Sequence, residues 1–112
     1  MGRTLTWFLP KPQRVESSVG PGIRLDRDYD PTKAWAVAKT GPGTQPVKID
    51  LLSDGASIFR ATTSALQVPV ASVKTTENDF AAGKLREGAV VSLDVLQWVG
   101  TVGDVTVRLE LD

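Results

Sequence analysis

Val91-Ser92-Leu93-Asp94-Val95-Leu96-Gln97-Trp98-Val99-Gly100-Thr101-Val102-Gly103-Asp104-Val105-Thr106-Val107-Arg108-Leu109-Glu110-Leu111 decides the fold class. Val91, Leu93 and Val95 alternate with Ser92 and Asp94, and Val105, Val107, Leu109 and Leu111 alternate with Thr106, Arg108 and Glu110. A period of two gives a strand one apolar and one polar face, the signature of a half-buried antiparallel sheet. Gly100-Thr101-Val102-Gly103 between the runs reads as a turn. The spacing therefore predicts a hairpin, with Val90–Trp98 pairing with Asp104–Leu111.

The same period recurs upstream. Val47, Ile49 and Leu51 alternate with Lys48 and Asp50, then Asp54-Gly55 precedes Ser57-Ile58-Phe59. Asp-Gly between such runs signals a type I′ hairpin, whose two central residues both need positive φ. Leu5, Trp7 and Leu9 alternate with Thr4, Thr6 and Phe8, giving a first strand that Pro10 ends. From Lys33 to Thr40, Trp35 and Val37 lie on one side and Ala34, Ala36 and Ala38 on the other. Breakers at Asp30-Pro31 and Gly41-Pro42-Gly43 leave too little room for a helix, so this too reads as a strand. Lys11–Gly22, rich in Pro, Ser and Gly, reads as a loop or an extended arm ordered on a neighbour. Ala61–Glu87 is irregular apart from a weak strand over Leu66–Val73 and one helical turn capped by Asn78. Short strands at this spacing define an all-β chain, an antiparallel β-sandwich of jelly-roll-like type with an irregular N-terminal arm. Residues 1–112 read as one such domain, since 112 residues suffice for one core and no linker divides them.

Composition narrows the chemistry. The chain has no histidine and no cysteine. Ser-His-Asp and Cys-His catalysis, Cys/His zinc sites and CxxC redox chemistry all need those side chains. Thirteen basic residues balance thirteen acidic ones and are scattered, which argues against a nucleic-acid or anionic-membrane partner. No run reaches membrane-spanning length, and Pro10 and Pro12 interrupt the one apolar stretch near the N-terminus. A hydrophobic content of 41% matches a globular domain with its own core.

The order of these pieces resembles a family of small bacteriophage virion modules found in tail, fibre and head-accessory proteins. Its members open with a T-x-x-F-x-L-P-like strand, matched here by Thr4-Leu5-Thr6-Trp7-Phe8-Leu9-Pro10. An a-V-x-T-x-P-x-G ending follows, here Ala36-Val37-Ala38-Lys39-Thr40-Gly41-Pro42-Gly43. The family's V-x-I-x-x-N-G-x-x-I-F hairpin is matched by Val47 to Phe59, with Asp54-Gly55 in place of Asn-Gly, and its F-x-A-G turn by Phe80-Ala81-Ala82-Gly83. The final pair is the stretch quoted above, where Trp98 stands as an extra residue that implies a bulge or changed register. The resemblance implies a β-sandwich in a phage particle, made in the host cytoplasm, with no catalytic residues and no cofactor. It implies capsid or tail proteins as partners and self-association, a trimer being the expected form. Decoration or cementing of the capsid is the first expectation, and a tail module or glycan-binding tip is the alternative.

Candidate site residues are weighed on this background. Asp26, Asp28 and Asp30 begin like a calcium loop, but Pro31 and Val37 stand where an EF-hand needs Gly and Glu. That leaves an irregular calcium site, or carboxylates neutralised by Arg24 and Arg27. Glu77, Asp79 and Glu87 are the nearest approach to an acid–base set, although thirteen carboxylates offer such groupings by chance. Trp7, Trp35, Trp98 and Tyr29 suggest a sugar-stacking platform, against which Trp7 and Trp35 read as core residues in alternating strands. Trp98, Trp7, Pro10, Pro12 and Tyr29 are the interface candidates, with Trp98 open to core, subunit-contact and sugar-binding roles.

Overall fold

A computed structural model describes residues 2–10, 15–20, 22–60, 66–81, 83–98 and 102–112. Among them lie β1 (Arg3–Leu9), β2 (Ile23–Arg24), β3 (Pro31–Ala38), β4 (Val47–Ser53), β5 (Ala56–Ser57), β6 (Leu66–Val68), β7 (Lys74–Glu77), β8 (Val90–Gln97) and β9 (Val105–Leu111). The turn proposed at Asn78 is not helical, because the Glu77 carboxylate accepts the Asn78 and Asp79 N–H groups at 2.9 Å and holds them in a tight bend.

Every pairing is antiparallel. One sheet runs β1-β9-β3-β7 and the other β2-β8-β4-β5, with β6 also on β4. The topology follows from one turn. Asp54 (φ 49°) and Gly55 (φ 85°) form the positive-φ pair of the β4–β5 hairpin, as the sequence predicts. From that tip the chain pairs outward, β3 with β7, β2 with β8 and β1 with β9. This long ribbon rolls up, and the β4–β8 and β3–β9 pairings close it into a jelly-roll-like sandwich.

The rolling overturns the expected C-terminal hairpin. β8 and β9 both form, but in opposite sheets, so they meet through their apolar faces and not through backbone hydrogen bonds. Alternation fixes which face of a strand is apolar and leaves its partner open. The connection between them carries Val102, which is fully buried. The irregularity anticipated at Trp98 lies just before it: Lys48 pairs with Gln97 but Ile49 with Val95, so Leu96 is the extra residue of a bulge.

The core is one cluster drawn from both sheets, with Leu5, Trp7, Leu9, Val105, Val107 and Leu109 facing Ile49, Leu51, Val91, Leu93 and Val95. Ala34, Ala36 and Ala38 supply the inward face of β3, and Trp35 and Val37 point outward, which corrects the core reading of Trp35. The reason is spacing: β3 and β6, in opposite sheets, bring Cα atoms within 8 Å, closer than the usual ~10 Å between packed sheets. Small side chains on the inward face of β3 suit that approach.

The arm lies on its own sheet where described. Glu16 bridges Val95 and the Val19 N–H donates to the Leu93 carbonyl, so 15–20 extend the edge that β2 makes with β8. Residues 11–14 and 21 are outside the described set.

Candidate functional site

The outward face of the β1-β9-β3-β7 sheet carries two of the exposed large apolar side chains, Phe8 and Val37. Register places Phe8 beside Thr106, Thr106 beside Val37, and Val37 beside Lys74. The next row is Thr6, Arg108, Trp35 and Thr76, and beyond it lie Thr4, Glu110 and Lys33. Phe8 is 61% exposed and Val37 39%. The Arg108 guanidinium sits 5.0 Å from the Trp35 ring centroid, a cation–π contact that holds the half-buried indole against the sheet. The face is thus apolar at the end near Leu9 and Ala38 and charged at the other. Alternation in the sequence already put Phe8 outward; its alignment with Val37 and Trp35 depends on β9 lying between β1 and β3, which no local signal carries.

The interface candidates divide. Trp7 and Tyr29 are core residues, 2% and 3% exposed, so neither offers surface to a partner. Each is amphipathic but faces between the sheets, where burial of a large ring contributes most. Trp98 is partly buried against the core, Pro10 is exposed, and Pro12 lies outside the described residues. The four aromatics do not form a platform, since two are internal and Trp35 stands on the outer sheet face.

The three aspartates are tied to cations, and Arg27 is among them as expected, its charge favouring the ionised Asp26 carboxyl. Asp26 pairs with Arg3 at 3.2 Å and accepts the Tyr29 hydroxyl at 2.6 Å. Asp28 accepts the Glu87 N–H at 2.7 Å and meets Arg86 at 3.4 Å, and Asp30 meets Lys84 at 3.6 Å. Arg27 also stacks on Tyr29, 4.2 Å from its centroid. The Tyr29 hydroxyl holds the Asp26 carboxyl below its ordinary value, with Arg3 adding to it, and the Glu87 N–H does the same for Asp28. Among the described residues no group of three or more potential ligands has metal-binding geometry. Two of the acid–base candidates are likewise engaged: Asp79 pairs with Arg60 at 2.9 Å and the Glu77 carboxylate accepts the Asn78 and Asp79 N–H groups, while Glu87 donates its backbone N–H to Asp28.

A different carboxylate pair was hidden from the sequence. Asp50 and Asp94 are directly opposite across β4 and β8. Asp50 is the one buried polar side chain among the described residues, and it accepts the Ser57 hydroxyl at 2.6 Å. Asp94 accepts the Ser18 N–H at 2.8 Å and so pins the arm. Burial pushes the Asp50 carboxyl up and the facing Asp94 pushes the same way, against the Ser57 hydrogen bond. The folded state therefore binds this proton more tightly than the unfolded chain does. Its stabilising contribution is complete below the ordinary aspartate range and is lost as pH rises through the raised native value. Asp50→Asn should raise stability at pH 7 by roughly 0.2–1 kcal/mol, the range of a cross-strand pair, and lose its advantage near pH 4. Urea midpoints at the two pH values check this; an equal shift at both would mean that charge is not the cause.

No family model matches this chain, and no curated protein matches it.

Proposed function

We propose that the chain is a non-enzymatic bacteriophage virion protein that decorates or cements the capsid as a symmetric oligomer. The order of its sequence motifs supports the family reading. The structural observation that carries the binding role is the row in which exposed Phe8 and Val37 flank Thr106, on a sheet face beside the Arg108–Trp35 contact. Large apolar side chains exposed on one sheet face suit a surface that a shell protein would cover. Binding only the assembled lattice would then stabilise the lattice by mass action.

The test is copy number in separated heads and tails, by quantitative mass spectrometry, together with Phe8→Ser. Decoration predicts hundreds of copies on heads. Phe8 is exposed, so the variant should keep its stability within about 0.5 kcal/mol. It should nevertheless leave at least about tenfold fewer copies on particles, since burying a Phe contributes about 1.5–3 kcal/mol. A few copies confined to tails would turn the reading to the host-contact alternative. Absence from both would end the virion reading.

A further inference from the structure

A sheet in a sandwich has edges, and an edge strand presents unpaired N–H and C=O groups that can capture another strand. Proteins blunt such edges with short strands, charges, bulges or prolines. Among the described residues three of the four edges here are blunted. β7 begins with Lys74 and ends with Glu77. β5 and β6 on the outside of β4 have two and three residues. β2 has two residues, one of them Arg24, and continues into the irregular 15–20 segment. β1 has none of these devices. It runs seven residues in unbroken register with β9, holds no proline, and carries a single charge at its first residue.

The ladder fixes which groups face the open side. Lys39 N–H donates to the Asp104 carbonyl, so the even-numbered residues of β9 turn their backbone toward β3 and the odd-numbered ones toward β1. Those odd residues pair with Arg3, Leu5, Trp7 and Leu9. The N–H and C=O groups of Thr4, Thr6 and Phe8 therefore point away from β9, toward an edge on which no described strand pairs.

We infer that β1 pairs with β1 of a second copy, antiparallel about a two-fold axis at Thr6. The pairs are Thr4 with the partner's Phe8, Thr6 with the partner's Thr6, and Phe8 with the partner's Thr4. The three residues that offer outward groups are spaced evenly about Thr6, so all of them become hydrogen-bonded pairs at once, as a two-fold requires. The side chains agree. Thr4, Thr6 and Phe8 are β-branched or aromatic and share the outward face, and the Phe8–Thr4 pair is a favourable cross-strand combination. Charge is compatible too: Arg3 falls opposite the partner's Leu9 and is already held by Asp26 at 3.2 Å, so no like charges meet along the seam. The two outward faces then join into one sheet that runs from β7 of one copy to β7 of the other, with both Phe8 rings near its middle. The inference does not rest on the virion reading.

Analytical ultracentrifugation over a concentration series into the millimolar range tests it, with amide hydrogen exchange alongside. The expected result is a monomer–dimer equilibrium in which the Thr4, Thr6 and Phe8 amides slow as dimer accumulates. Thr6→Lys and Thr6→Glu each place like charges face to face at the axis and should weaken association at least about tenfold. Thr6 is exposed, so both variants should retain the wild-type circular dichroism. An equimolar mixture of the two should restore the dimer, which a folding defect could not do. A wild-type monomer throughout, a trimer, a dimer indifferent to both variants, or a mixture that stays monomeric overturns the pairing. Protection of the three amides only on adding a different protein also overturns it, since the edge would then take a foreign strand. Absence from particles refutes the virion reading and leaves the solution mass untouched.

Discussion

Phe59→Ala should cost about 3–5 kcal/mol, the range for truncating a fully buried aromatic ring. At roughly 4 °C per kcal/mol for a domain of this size, the thermal midpoint should fall by about 12–20 °C. Phe59 is 0% exposed and is among the largest fully buried side chains. It lies just past β5 and forms an isolated bridge with Phe80, ring centroids 5.5 Å apart and planes inclined by 22°. The neighbouring bonds run the same way: Ala81 N–H to the Ile58 carbonyl, Arg60 N–H to the Asp79 carbonyl, and Arg60 to the Asp79 carboxylate at 2.9 Å. The ring therefore clasps the segment after the β4–β5 hairpin to the one that follows β7. The exposed ion pair contributes about 0–1 kcal/mol and cannot hold that junction alone. Amides at Ile58, Arg60 and Ala81 should exchange faster in the variant, while those of β1 and β9 should follow the global loss. A midpoint lowered by only a few degrees would show that Phe80 swings in to fill the space.

The elements were more legible in the sequence than their arrangement. β1, β4, β8 and β9 are each announced by alternation, and Asp54-Gly55 announces the β4–β5 hairpin. Faces also follow from alternation where one side is plainly apolar, as with Leu5, Trp7 and Leu9. For β3 both sides are apolar, and the choice between alanines and Trp35–Val37 is made by how closely β6 approaches, a tertiary fact. The β8–β9 error has the same origin. Consecutive apolar strands joined by a Gly-rich stretch satisfy the hairpin pattern, but the ribbon that starts at Asp54-Gly55 has already assigned β8 to β2 and β4, and β9 to β1 and β3. The candidate surface inherits this limit. Phe8 could be seen to point outward, but its row with Val37, and the Asp50–Asp94 pair, exist only once the register between distant strands is set.

What holds the crossing between the two sheets is a backbone contact, and Gly103→Ala should expose it. A Cβ at Gly103 would lie 2.6 Å from the Thr40 backbone nitrogen, 2.9 Å from its Cβ and 3.0 Å from its Oγ1. None of these is the loose end of a flexible side chain, so one of the two segments has to move. Moving is opposed from both sides. The Gly103 N–H donates to the Thr40 carbonyl at 2.8 Å, and the Lys39 N–H donates to the Asp104 carbonyl at 2.7 Å. On its other flank Thr40 is followed by Gly41, where a Cβ would run into the Ser72 carbonyl oxygen. The connections after β3, after β6 and after β8 are thus stacked with no space for a methyl group between them. Overpacking at such a point costs about 1–3 kcal/mol, and the clash with backbone places Gly103→Ala near the upper end. The expected result is a midpoint lowered by roughly 8–12 °C at an unchanged far-ultraviolet spectrum, with faster exchange at Thr40 and Gly103. The strands stay paired because the strain falls on the connections and not on the ladders. Wild-type stability in this variant would mean that Thr40 does not pin the crossing, and that the sheets are held face to face by the side-chain core alone.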